Sequence, residues 1–301
     1  MLAKKFTEFV LKSNKRAILV ALLCAFVPLL GWVGAVVVAL VTLCKSIADG
    51  FVVLLWAALP YIVIAVHTRS WALLLHGVVF GSLFVWVLAV LWRLSKKFVL
   101  VVESAVMLGL LAVVIIHLIL PNPHAWWTQY IIAHANKLIS TANINLNMGW
   151  VKKATQMVVP YMTGVQSVII LFGAILQVII ARALQANLAN SWLWREEWLK
   201  FRLSKKRVMF LLLWLVFFWI DLSLLQDLLP VLFFPLLFAG ISLGHSCIIT
   251  LKLSPMFIWS FYLLIFASLL FMPILLSVLV VAAILDSFLD FRTRFLNIGV
   301  N

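Results

Sequence analysis

The sequence predicts an all-α protein built into a membrane: one polytopic domain over residues 1–301 with about eight (roughly 7–10) crossing helices. Three observations predict it. Hydrophobic residues make up 66% of the chain and charged ones 11%, against roughly 45–50% and about 25% in a soluble globular protein. Uncharged runs recur at 17–44, 51–66, 71–92, 104–120, 208–220, 228–244 and 256–285. Several reach the roughly 20 residues that a helix needs to cross a hydrocarbon core of about 30 Å. None alternates at period two, so helices rather than barrel strands are expected to span.

The net charge of +14 fits this class. In a membrane protein, Lys and Arg gather in cytoplasmic loops, so the expected surroundings are a lipid bilayer and no nucleic-acid partner is expected. Cys24, Cys44 and Cys247 show no CxxC spacing, and neither a disulfide frame nor a zinc site is indicated. MLAKKFTEFVLKSNKR is basic and precedes an apolar run. That run is too long for the hydrophobic part of a signal peptide, so a retained membrane segment is expected.

Residues 17–44 pose the first geometric problem. As one straight helix the run would be about 42 Å long, too long for the core without strong tilt. Its middle reads FVPLLGWVG, where Pro28 removes a backbone donor and Gly31 and Gly34 weaken a helix. A basic N-terminus on the cytoplasmic side decides between one kinked crossing and a hairpin. If the run crosses once, RLSKK (93–97) falls outside. If it doubles back, Lys45, RLSKK and residues 182–207 all fall inside, as the positive-inside rule asks. The hairpin is therefore expected.

Spans follow over 51–66, 71–92 and 104–120. Residues 121–160 are expected as an outer loop. PNPHAWW opens it, and Trp127, Tyr130, Ile131, His134 and Leu138 sit at helical spacing, which predicts an interfacial amphipathic helix over 125–140. STANINLNMG (140–149) is polar and reads as a loop. After a span near 161–181 comes the cytoplasmic loop 182–207. It contains WREEWLKFRLSKKR, residues 194–207, which concentrates eight of the chain's charged side chains. Glu196 and Lys200 are spaced to support a helix, and Trp194, Trp198 and Phe201 suggest a stripe at the membrane surface or a docking face. Spans at 208–226 and 228–251 precede 256–285, which is again too long for one straight crossing and carries Pro273. Folding back there keeps Arg292 and Arg294 inside.

Ionisable groups within apolar helices are expensive, and each one suggests function. His76, His117 and Asp221 lie on three helices at similar expected depth and form the candidate pocket for a small polar solute or a proton. GxSxG, HExxH and phosphate-loop motifs are absent from the sequence, so no enzyme activity, catalytic residue or cofactor is expected. His117 and His124, seven apart across Pro121 and Pro123, form a poor metal spacing.

LLWAALP (54–60), REEWLKFRL (195–203) and ILDSFLDFRTR (284–294) together resemble the YybS-like family of predicted bacterial inner-membrane proteins. The family is loosely similar in turn to substrate-binding membrane subunits of energy-coupling vitamin transporters. The family's function is not established, and the resemblance implies a bacterial inner-membrane protein. With the candidate pocket, the expectation is a solute-binding or transport subunit needing a partner chain, and the placement of basic clusters puts its N-terminus on the cytoplasmic side. The alternative is a cell-envelope scaffold without transport activity. Asp286, Asp290 and Arg292 are the most specific part of the likeness. Asp290 is spaced to pair with Arg294. With Trp198, Asp286, Asp290 and Arg292 are the candidate partner-docking residues for a membrane or cytoplasmic protein.

Overall fold

A computed structural model describes residues 2–27, 30–142, 147–188, 197–214, 222–271 and 274–294. Every regular element among them is helical. In chain order these are α1 (Leu2–Leu11), α2 (Asn14–Phe26), α3 (Gly31–Cys44), α4 (Ile47–Thr68), α5 (Trp71–Leu74), a π-helical stretch (Leu75–Leu83), α6 (Phe84–Ser95), α7 (Phe98–Ile119), α8 (Pro123–Ala142) and α9 (Met148–Val158). A 3₁₀ turn (Val159–Tyr161) leads into α10 (Met162–Leu188). Then come α11 (Lys205–Leu213), α12 (Ser223–Thr250), α13 (Pro255–Phe271), α14 (Ile274–Leu289) and α15 (Phe291–Arg294).

Among the described residues, five helices are long and apolar enough to cross a membrane: Ile47–Thr68, Leu75–Ser95, Phe98–Ile119, Met148–Leu188 and Ser223–Thr250. Large apolar side chains on the helices face outward, with Leu118, Met256 and Trp259 exposed by 80%, 75% and 77%. In water such surface would be strongly unfavourable; against acyl chains it is not. The chain is a helical membrane protein.

Two compact units divide the chain. The first comprises Met1–Ala105 and Ile170–Phe201, the second Val106–Ile169 and Arg202–Asn301. Helices α7 and α10 each give one part to either unit.

In the first unit, the run 17–44 does double back. Ser13 caps α2 by accepting the Arg16 N–H, and α3 returns along α2. Gly34 lets the two backbones close, because a Cβ there would lie 3.1 Å from the Ala21 carbonyl oxygen. The outer ends of the pair meet where Lys45 Nζ donates to Asn14 Oδ1 at 2.8 Å and Asn14 donates to Asp49. Pro28 and Leu29 lie outside the described residues. Each arm is about 20 Å long at 1.5 Å per residue. Cysteines placed at Lys12 and Lys45 are therefore expected to react with a membrane-impermeant maleimide from the same side of the bilayer. Reaction from opposite sides would refute the hairpin.

The C-terminal end of α3 is closed by Arg93, whose Nη1 donates to the carbonyls of Thr42 (2.7 Å) and Leu43 (3.0 Å) and whose Nη2 donates to that of Lys45 (2.7 Å). Helix C-termini leave carbonyls unpaired and attract cations, so one guanidinium meets both needs. Nearby, Gly50 lies against Thr42 so closely that a Cβ would collide with its side chain.

In the second unit, α12 is the most enclosed helix. Helix α14 runs beside it in the same sense. Gly240 faces the Leu279 carbonyl without room for a Cβ, a small-residue contact of the kind that brings membrane helices together. Helix α13 folds back on α12, with the Phe261 ring against Gly244 and the Tyr262 hydroxyl 3.0 Å from His245 Nδ1. Helices α13 and α14 thus run in opposite senses, while Pro273 lies outside the described residues.

Candidate functional site

A polar cluster lies within the second unit where four chain segments converge. Leu120 closes α7 by donating to the Ile116 carbonyl. Pro121 and Pro123 prevent a continuous helix, and Asn122 restarts it as the N-cap of α8 by accepting the Ala125 N–H at 2.9 Å. This tight turn sets His117, in the last turn of α7, beside His124, in the first turn of α8, with ring centroids 6.3 Å apart and planes at 80°.

Both imidazoles aim Nε2 at one oxygen of Asp227 on α12. His117 Nε2 is hydrogen-bonded to Oδ2 at 2.9 Å, and His124 Nε2 lies 3.3 Å from the same atom, outside hydrogen-bond geometry. The other carboxylate oxygen, Oδ1, accepts the Gly164 N–H of α10 at 3.1 Å. The Asp227 side chain has no exposed surface, while those of His117 and His124 are 10% and 21% exposed.

The sequence builds this closeness locally. A Cβ on Gly164 would collide with the Asp227 carbonyl oxygen and lie 3.0 Å from Pro230 Cδ, so only glycine admits α12 at that height. One residue earlier, Thr163 Oγ1 accepts the Trp127 indole N–H at 3.1 Å, tying α8 to α10 beside the carboxylate. A bare carboxylate in such a place is strongly unfavourable; the His117 imidazole and the Gly164 N–H compensate it, with the His124 ring close by. Chemically the arrangement can hold a proton between imidazole and carboxylate, or present imidazole edges to a polar solute. Among the described residues there is no group of three or more His, Cys, Asp or Glu side chains suited to a metal ion.

Of the three residues expected to form a pocket, His117 belongs to this cluster. His76 lies in the π-helical stretch of the first unit, exposed and edge-on to Phe80 at 6.3 Å. Asp221 lies outside the described residues. His124, Asp227, Gly164 and Thr163 are the members that sequence reasoning did not select. The available signal was the pair of histidines bracketing Pro-Asn-Pro, a turn short enough to bring them together.

The expected docking residues occupy two other polar knots. In the first unit, Trp198 is only 8% exposed. Its ring packs edge-on to Phe98 at 5.8 Å and parallel to Phe201 at 6.5 Å. Next to it, Glu197 accepts the Trp92 indole N–H at 3.3 Å and lies 3.9 Å from Arg182. Burial pushes the Glu197 carboxyl above its ordinary range, against the opposing effects of Arg182 and the Trp92 bond. Residues 194–196, with Trp194 and Glu196, lie outside the described residues.

In the second unit, α14 stops at Leu289 because Asp290 takes a left-handed backbone, φ 59°. That turn sends Arg292 back into the protein. Its side chain has no exposed surface and donates from Nε to Asp286 Oδ2 at 2.9 Å. Nη1 donates to Ser242 Oγ at 3.2 Å and Nη2 to the Ala239 carbonyl at 3.3 Å. Burial draws this guanidinium below its ordinary value, and the charge of Asp286 opposes the shift. Asp290 pairs with Arg202 rather than with Arg294 as its spacing suggested. The Asp286–Arg292 pair thus faces inward and ties α14 to α12.

The chain matches no family model, and no curated protein or solved structure is significantly similar to it.

Proposed function

We propose that the chain is a multi-pass protein of a bacterial inner membrane, cytoplasmic at its N-terminus, that acts as a solute-binding or transport subunit with a partner chain. The likeness to YybS-like proteins belongs to the same proposal. Among the described residues, the five long apolar helices with the shorter apolar helices Pro255–Ser268 and Leu275–Leu289 support seven crossings, within the expected range of roughly 7–10, while Gly31–Cys44 is one arm of the hairpin.

One observation carries the functional reading: the fully buried Asp227 carboxylate bracketed by His117 and His124. An ionisable group enclosed within a membrane domain is costly to keep and is a functional-site hypothesis by default. A scaffold needs no such group, and a hydrophobic residue of similar volume would hold the same helices together.

Thermal unfolding of the purified protein against a panel of small polar metabolites tests the reading. A ligand present at about a hundred times its Kd adds about 2.7 kcal/mol to the folded state. At least one solute class is expected to raise the midpoint for the wild type, and Asp227→Asn is expected to abolish that rise. No stabilisation by any solute, across the panel and across pH, would favour the scaffold instead.

A further inference from the structure

We propose that the basic end of the first unit is a binding surface for anionic phospholipid, with the headgroup on the lysines around α1 and the acyl chains along α2. Helix α1 is ten residues long, too short to cross a membrane, and its two faces differ sharply. Thr7 and Val10 have no exposed surface and turn inward. Lys4, Lys5, Glu8 and Phe9 point outward, as do Lys12 and Lys15 just beyond.

Neighbouring charges are already engaged. Lys45 is bonded to Asn14, Asp49 to Asn14 and Ser46, and Arg93 to three carbonyls. Lys4, Lys5, Lys12 and Lys15 are left facing outward, with Glu8 the one acid on that helix, and Lys96 and Lys97, directly after the Arg93 turn, are exposed as well.

The continuation of this surface along α2 selects the occupant. Beyond Lys12 and Lys15, the same helix face carries Leu19, Leu23 and Phe26, exposed by 52%, 55% and 54%. Residues three and four apart share a face, so on α2 one column runs from the Lys15 ammonium to the apolar side chains, with the lysines of α1 on the neighbouring helix. Phe9, 45% exposed, sits under the Arg16 guanidinium at 4.9 Å and adds an apolar body at the charged level. A nucleic acid or an acidic soluble protein would match the lysines alone. A phospholipid with net negative charge matches the whole column, and basic amphipathic helices bind such headgroups.

The full chain, purified and exchanged into micelles containing equal amounts of phosphatidylglycerol and phosphatidylcholine, is stripped of loose lipid, and what remains bound is counted by native mass spectrometry. Phosphatidylglycerol is expected to be retained at least about fivefold over phosphatidylcholine, the factor that one lysine near a headgroup supplies. The preference should fall with added salt. Combined Lys4→Gln, Lys5→Gln, Lys12→Gln and Lys15→Gln is expected to bring the ratio close to one, and the matching four Lys→Arg changes to preserve it. Equal retention of both lipids by the wild type overturns the proposal, whether or not the Gln variant folds. So does a preference unchanged in a folded Gln variant, or displacement of the lipid by oligonucleotide or polyglutamate at equal charge.

Discussion

Arg292→Ala is expected to destabilise the second unit by about 3–5 kcal/mol, the range seen when one partner of a buried ion pair is removed. The size reflects the groups left behind. Asp286 is 1% exposed and would lose its Nε donor, while Ser242 and the Ala239 carbonyl would lose Nη1 and Nη2. Lysine is expected to rescue little, because a point charge cannot serve three acceptors from one planar fork. Replacing both partners, Asp286→Leu with Arg292→Met, is expected to be far milder, since no charge is then stranded. Denaturant titration in micelles measures each case. A single variant as mild as the double one would show that Arg292 is dispensable to the contact between α12 and α14.

Asp227→Ala is expected to have the second-largest effect, and here stability and function separate. Removing the carboxylate leaves the Gly164 N–H and the His117 ring without their acceptor in a buried place, at about 1–3 kcal/mol for each unsatisfied group. Asp227→Asn keeps an acceptor for Gly164 and most of the shape, so it is expected to fold while losing charge-dependent solute or proton binding. Gly164→Ala tests the architecture without touching an ionisable group. Its Cβ has nowhere to go against the Asp227 carbonyl, and overpacking of this kind costs about 1–3 kcal/mol, occasionally more. If Asp227→Asn binds as the wild type does while Gly164→Ala is destabilised, the carboxylate holds helices together and does no more.

Much of the fold was legible because it depends on quantities that a sequence carries directly. Run length against core thickness exposed the problem at 17–44, and the placement of Lys45 and RLSKK favoured a hairpin there. The amphipathic spacing from Trp127 to Leu138 gave a helix that the structure extends to Pro123–Ala142. Other features depend on tertiary contact and leave no local trace. His117 reads as a lone polar group at a helix end until the turn at Asn122 adds His124 and α12 supplies Asp227. Asp286 and Arg292 look like an exposed exit motif on a helical wheel. They turn inward because Asp290 breaks the helix in a left-handed conformation, a backbone state rare outside glycine. Trp198 obeys the same logic. A tryptophan in a charge-rich loop reads as a surface anchor, but Phe98 and Phe201 provide an aromatic slot that encloses it.

The interleaving of the two units has a consequence for biosynthesis. Residues 1–105 leave the ribosome first, but the partners that complete their unit, Arg182, Gln185, Glu197 and Trp198, are made only after residues 106–169. At about 5–20 residues per second, that interval lasts on the order of 3–13 s. During it the Leu43 carbonyl lacks Gln185, and Trp92 and Phe98 lack the residues that later cover them. The first unit is therefore incomplete until its second segment is made, and truncation before Phe201 leaves it without part of that segment.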